Sequence, residues 1–290
     1  MQPASGLPAS GRVPGAHGLT LHLLRWSDEG VPLLLVHGFG NDAHVWDDFA
    51  PRVAPYYRTL ALDLAGHGDS DRDPEGRYAY EDHVAHLEAA TAALGVARLV
   101  LVGHSLGGRV SMLFAGRHPE RMAGLVIVDA GPELDPRGTG RIRMDARRGA
   151  DASFASVAEY ERALAHAYPA AQPEALRRMA RHGLRRRDDG RLERKTDPAY
   201  HRGLAGLSEA ERETQERETT ARLWEALGRI PCPTLVVRGA ASDVLSADCA
   251  DRMEETLPKG SLAVVPRASH SVMIDNPAGF ADAVCGFVLG

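Results

Sequence analysis

Four short segments of the sequence, 33–36 (LLLV), 99–102 (LVLV), 125–128 (LVIV) and 234–237 (TLVV), are apolar at almost every position. A strand with one wet face alternates apolar and polar residues. One that is apolar throughout is covered on both sides, as in a parallel sheet sandwiched by helices. Further β-type runs lie at 19–25, 59–62 and 262–265, and helix-patterned segments fall between them at 80–94, 106–117, 247–257 and 277–288. Strand alternating with helix specifies an α/β sheet.

The alternation stops between 133 and 227, a stretch rich in Arg, Ala and Glu that is expected to be a helical insertion between two strands of the sheet. Residues 137–195 carry 15 basic and 8 acidic side chains in a chain whose net charge is −5. A solvated helical face accounts for such a run; attraction of an anionic substrate is the sharper reading. The net charge argues against a nucleic-acid or anionic-membrane partner. No stretch approaches the roughly 18 to 20 apolar residues of a membrane span. Cys232, Cys249 and Cys285 are scattered and odd in number, which disfavours a disulfide framework and suits a reducing compartment. The cytoplasm is the expected location. Residues 1–18 are rich in Pro, Gly, Ser and Ala, lack the apolar core of a signal peptide, and read as a frayed tail.

Gly103-His104-Ser105-Leu106-Gly107 matches Gly-x-Ser-x-Gly, and it falls where LVLV ends and a helix-patterned segment begins. A turn that tight strains its central residue and holds the serine oxygen above the sheet, near the positive end of a helix. Serine needs a base, and the base needs an orienting acid. Five histidines follow Ser105: His118, His166, His182, His201 and His270. Only His270 lies beyond the last-but-one strand, where it can reach back over the sheet. Asp243, after TLVV and a small-residue turn, is the expected acid; Asp129, directly after LVIV, is its rival. Donors for an oxyanion are expected from the backbone N–H groups of Phe39, in the glycine-rich turn after LLLV, and Leu106. His37, Gly38, His104 and Trp46 are candidate pocket residues, with Phe154 and Trp224 as candidate linings from the insertion.

LLLVHGFG, DLAGHGDSD (63–71), VGHSLGG, the region around Asp243 and SHSVMIDNP around His270 together resemble the α/β-hydrolase superfamily, in its esterase-like branch with a helical cap. The resemblance implies a mostly parallel eight-stranded sheet with helices on both faces. It implies a core of 19–132 and 228–290, and a cap of 133–227 over a pocket at the sheet's carboxyl edge. It also implies a triad of Ser105, Asp243 and His270, acting on a small-molecule ester or lactone through an acyl-enzyme, with no metal or organic cofactor. Ser105 stands where haloalkane dehalogenases and epoxide hydrolases carry Asp. Carbon–carbon hydrolases typically have Asn before the nucleophile, where this chain has His104; they stay open as an alternative, as does a slow-turnover small-molecule receptor. Monomer and dimer are both open.

Two other chemistries compete on the residues alone. Gly38-Phe39-Gly40-Asn41-Asp42-Ala43 fits a dinucleotide fingerprint with Asp63 as ribose ligand, but Pro51 and Pro55 interrupt the helix that it needs. His83 and His86, three apart on a helix-patterned segment, are expected to be surface histidines and not metal ligands, since no His-Glu-x-x-His pattern exists. His67 is expected on a loop at the rim of the site.

Overall fold

The structure is a computed structural model, and it describes residues 7–149, 152–200 and 208–290. In chain order the strands are β1 (Ala9–Pro14), β2 (Thr20–Arg25), β3 (Val31–Val36), β4 (Tyr57–Leu62), β5 (Leu99–His104), β6 (Met122–Val128), β7 (Ser153–Phe154), β8 (Leu184–Arg186), β9 (Leu192–Arg194), β10 (Thr234–Gly239) and β11 (Gly260–Val265). The helices are α1 (Ala50–Val53), α2 (Tyr80–Ala93), α3 (Leu106–Arg117), α4 (Pro136–Gly149), α5 (Val157–Ala167), α6 (Pro173–His182), α7 (Glu209–Gly228), α8 (Ala247–Thr256), α9 (Val272–Asp275) and α10 (Pro277–Val288).

Eight strands form one sheet in the order β1-β2-β4-β3-β5-β6-β10-β11, and only β2 runs against the rest. The continuous apolar runs occupy its centre, as two covered faces require. Their period of two sorts the side chains cleanly. Leu34, Val36, Leu99, Leu101, Leu125, Ile127 and Val236 join Leu87 of α2, Phe114 of α3 and Met253 of α8 in one core layer. Leu33, Leu35, Val100, Val102, Val126, Val128, Leu235 and Val237 join Phe280 and Val284 of α10 in the other. Each such side chain, buried fully, contributes on the order of 1.5–3 kcal/mol before entropy is charged against it.

Residues 9–14 are not a frayed tail. They pair with β2 along its whole length, from Ala9 opposite Arg25 to Pro14 opposite Thr20. Val13 is buried, Gly11 lies over Leu23, and Arg12 bonds Asp71 and the Asp69 carbonyl. An edge strand with one neighbour draws its stability from the backbone ladder, so it needs no apolar run for a reader to see.

The segment between β6 and β10 is helical as expected, but it also contains a small antiparallel sheet, β7-β9-β8. Strands of two and three residues are too short to show a period. Phe154, Tyr160, Leu164, Leu176, Ala180 and Leu184 form a separate apolar cluster there. The last turns of α7 belong instead to the main core, where Leu223 and Leu227 are buried and Ala226 abuts Gly116 of α3. No described helix is long and apolar enough to cross a membrane.

Candidate active site

One residue separates β5 from α3. Ser105 holds φ 53° and ψ −115°, a conformation that L-residues adopt only when their surroundings impose it, at about 1–3 kcal/mol. The glycines around it are steric necessities. A Cβ on Gly103 would lie 2.4 Å from the Gly107 carbonyl oxygen, and one on Gly107 would lie 2.5 Å from that of Val36. A Cβ on Gly108 would stand 2.6 Å from that of Ala130. Strand and helix therefore cross at touching distance, and the serine is thrust out above the sheet edge.

His270 lies in the loop between β11 and α9, and its Nε2 is 3.0 Å from Ser105 Oγ. Its Nδ1 is 3.0 Å from Asp129 Oδ1. Asp129 is fully buried and takes two more hydrogen bonds, from the Gly239 N–H (2.8 Å) and the Ser242 hydroxyl (2.6 Å). The acid facing the histidine is thus Asp129, not the expected Asp243. Asp243 turns to α4, where Arg141 donates to both its oxygens at 2.8 and 2.9 Å and holds its carboxyl below the usual range. Both aspartates follow adjacent strands, Asp129 directly after β6 and Asp243 four residues past β10. What separates them is the backbone of Asp129, at φ 44°, which swings its side chain inward under His270. Aspartate tolerates that region better than most residues, and the small Ala130-Gly131 pair after it was the one visible sign.

The remaining candidates sort by what they touch. The turn after β3 lies against the elbow: a Cβ on Gly38 would come within 3.0 Å of Ser105 Cβ. Phe39 sits on that turn, its ring edge-on to His67 at 5.6 Å and to Tyr200 at 5.4 Å. Leu106 is the first residue of α3, where a backbone N–H has no partner within the helix. His104 is buried behind the triad and donates from Nε2 to the His270 carbonyl (3.0 Å); burial drives its pKa well below 6.5, so the ring is neutral. His37 donates from Nδ1 to the Gly38 carbonyl and accepts the Leu64 N–H at Nε2, bracing the turn from below.

Three pocket candidates belong elsewhere. Trp46 is core, fully buried with its ring centroid 6.0 Å from that of Phe280. Phe154 lies in the insertion's own cluster, and Trp224 pairs with Glu133 beneath Arg252 on the outside. Of the other downstream histidines, His118 bonds Glu88 and His182 stacks on His44, while His201 lies outside the described residues.

A histidine–aromatic cluster beside the site was misjudged. His67, His83 and His86 are all buried, neither rim nor surface. Tyr200 donates its hydroxyl to His83 Nε2 (2.6 Å) or the Ala65 carbonyl and stacks on Tyr78, joining the end of β9's trailing segment to the turn that carries Phe39. Burial lowers His83 to about 3 and His86 to about 4. These helical histidines were spaced like surface residues; Tyr200 covers His83, and the turn after β1 covers His86, whose Nδ1 accepts the Ala16 N–H.

Asp63 is buried beneath the same turn and is saturated by the Ala43 N–H, the Asp69 N–H and His22 Nδ1. A ribose-binding role would need it free, and the Gly38–Ala43 turn leads into a single 3-10 turn, Ala43–Trp46, where a dinucleotide fold needs a long helix. Asp63 and Asp69 also meet His22 closely enough to suggest a cation site, but His22 is held by Asp63 and Ser10, and Asp69 by Lys195. Much of the insertion's positive charge is likewise paired, as in Arg137–Asp135, Arg178–Asp48 and Arg185–Glu193.

A serine on a strained strand-to-helix elbow, addressed by a loop histidine over a parallel sheet, agrees with the comparison to known families. The model of the alpha/beta hydrolase fold matches residues 31–277. This chain belongs to the α/β-hydrolase fold family. A 2-(acetamidomethylene)succinate hydrolase of Mesorhizobium japonicum is 28% identical over 93% of this chain and 92% of its own. A crystal structure of an E-2-(acetamidomethylene)succinate hydrolase, 26% identical, superposes with a TM-score of 0.85 over 98% of this chain and 100% of that one. A 2-hydroxymuconate semialdehyde hydrolase of Pseudomonas sp. (strain CF600) is 26% identical over 97% and 94%. Esterase Rv0045c of Mycobacterium tuberculosis is 27% identical over 91% and 84%. Its family makes it a hydrolase.

Proposed function

We propose that this α/β-hydrolase cleaves a carboxylic ester or lactone through an acyl-enzyme on Ser105. The observation that carries the reading is the unbroken chain from Ser105 Oγ through His270 to Asp129, at 3.0 Å for each link. His270 Nε2 takes the hydroxyl proton as Ser105 Oγ bonds to the carbonyl carbon. The carbonyl oxygen becomes an oxyanion, met by the N–H groups of Phe39 and Leu106. The C–O bond to the alcohol then breaks as His270 returns the proton to the leaving oxygen. Water, deprotonated by the same nitrogen, releases the acid and restores Ser105. Asp129 holds the tautomer with Nδ1 protonated and stabilises the imidazolium between the two transfers.

A second reading has its own support. The names of two relatives specify substrates bearing carboxylates on small unsaturated skeletons, a succinate and a muconate semialdehyde. A hydrolase of an activated carbon–carbon bond on such a skeleton would use the same serine and base. The histidine at 104 does not weigh against it: its Nε2 is engaged by the His270 carbonyl, behind the site.

The experiment is turnover of short and medium p-nitrophenyl esters by wild type and Ser105→Ala side by side. Turnover lost in the variant is expected; turnover retained sinks the serine scheme. If neither protein cleaves esters while Ser105 still reacts with a fluorophosphonate, vinylogous ketones bearing a carboxylate become the substrates to test.

A further inference from the structure

Arg109 is four residues past the nucleophile on α3 and is 1% exposed, a guanidinium in the interior of the protein. An interior cation is retained at a large desolvation cost unless its donors are filled. Here they are. Nε donates to the Gly131 carbonyl at 2.9 Å, and Nη2 to the Pro132 carbonyl at 2.9 Å and to Glu216 Oε1 at 2.9 Å. Nη1 reaches the Tyr80 hydroxyl at 3.1 Å. Gly131 and Pro132 are the chain leaving Asp129, and Glu216 is on α7, whose Thr220 hydroxyl donates to the same Pro132 carbonyl (3.0 Å).

We propose that Arg109 is the positioning residue for Asp129: it grips the two carbonyls that follow the φ 44° turn, and α7 steadies that grip through Glu216. The inference rests on Asp129 being the carboxylate that orients His270. A strained turn relaxes unless something outside it fixes both ends. The Asp129 N–H bonds the Val237 carbonyl at 2.7 Å on one side, and Arg109 supplies the other anchor. Two carbonyls two and three residues downstream present a pair of acceptors that a planar fork meets in fixed geometry, where a lysine ammonium is a point charge on a flexible stem. The same side chain thereby links the inserted segment to the triad without touching the substrate.

The test is a double-mutant cycle read by fluorophosphonate reaction with Ser105, which needs an activated serine but no particular substrate. Arg109→Met is expected to lower the maximal labelling rate about ten- to a hundredfold, as small displacements of reacting groups do, with half-saturation unchanged within about twofold. In an Asp129→Asn background the same substitution should cost less than about twofold, because the pathway it acts through is already broken. Losses that multiply in the two backgrounds overturn the proposal, as does full labelling by Arg109→Met alone. Wild-type labelling by Asp129→Asn instead sinks the reading of Asp129, and is scored before the cycle. If circular dichroism shows Arg109→Met unfolded, Arg109→Lys enters the same cycle under the same criteria.

Discussion

At the residue scale, which carboxylate faces His270 is decided by one backbone angle. The contact of Ser105 with His270 was legible because each is marked locally, one by flanking glycines and the other by its place after the last-but-one strand. Asp129 and Asp243 carry similar local marks, both following apolar strands. The choice lies in a positive φ and in three donors from β10, its loop and His270, all distant in sequence. Asp129→Asn should therefore lower kcat for an ester substrate by about four orders of magnitude through the wrong imidazole tautomer. Asp243→Asn should stay within about threefold of wild type, since an exposed ion pair with Arg141 is worth little. Steady-state kinetics of the two variants side by side checks both; the reverse ranking would reinstate Asp243.

At the element scale, the β5–α3 crossing depends on missing side chains. The Cβ of Gly107→Ala would meet two backbone oxygens, of Val36 and His37, at 2.5 and 2.6 Å, and neither can swing aside as a flexible side chain would. That substitution should cost about 1–3 kcal/mol in urea unfolding and displace the nucleophile as well. Gly286→Ala in α10, where a Cβ meets nothing within 4 Å, should be neutral or stabilising by up to about 1 kcal/mol. Elements were legible in proportion to their length and burial. The central strands announced themselves, whereas β1 hid because an edge strand is built from backbone pairing, and β7, β8 and β9 hid because they are shorter than any period.

At the scale of the whole molecule, buried histidines tie stability to pH. His83 is neutral in the folded protein and titrates only near pH 3, against 6.5 when solvated. Above pH 6.5 neither state binds the proton and the residue leaves stability unchanged. Between 6.5 and about 3 only the unfolded chain takes it up, so stability falls as pH falls, by at most about 1.4 kcal/mol per pH unit for this residue. His86, with a folded value of about 4, adds a second slope that ends sooner. Thermal melting from pH 7 to pH 4 should show a steady decline, and His83→Gln should make it shallower. An identical decline in that variant would place the acid sensitivity elsewhere.

The helix α7 also sets where this protein can be cut and rejoined. Its first turns are solvated and Glu216 reaches Arg109 from the surface, yet Leu223 and Leu227 are part of the main core and buried Ala226 abuts Gly116. A recombinant chimera that imports a foreign insertion in place of 133–227 would remove a wall of the host's interior along with it. The splice that leaves the host intact falls before Glu216, so that a donor contributes the inserted segment while the recipient keeps its own beam.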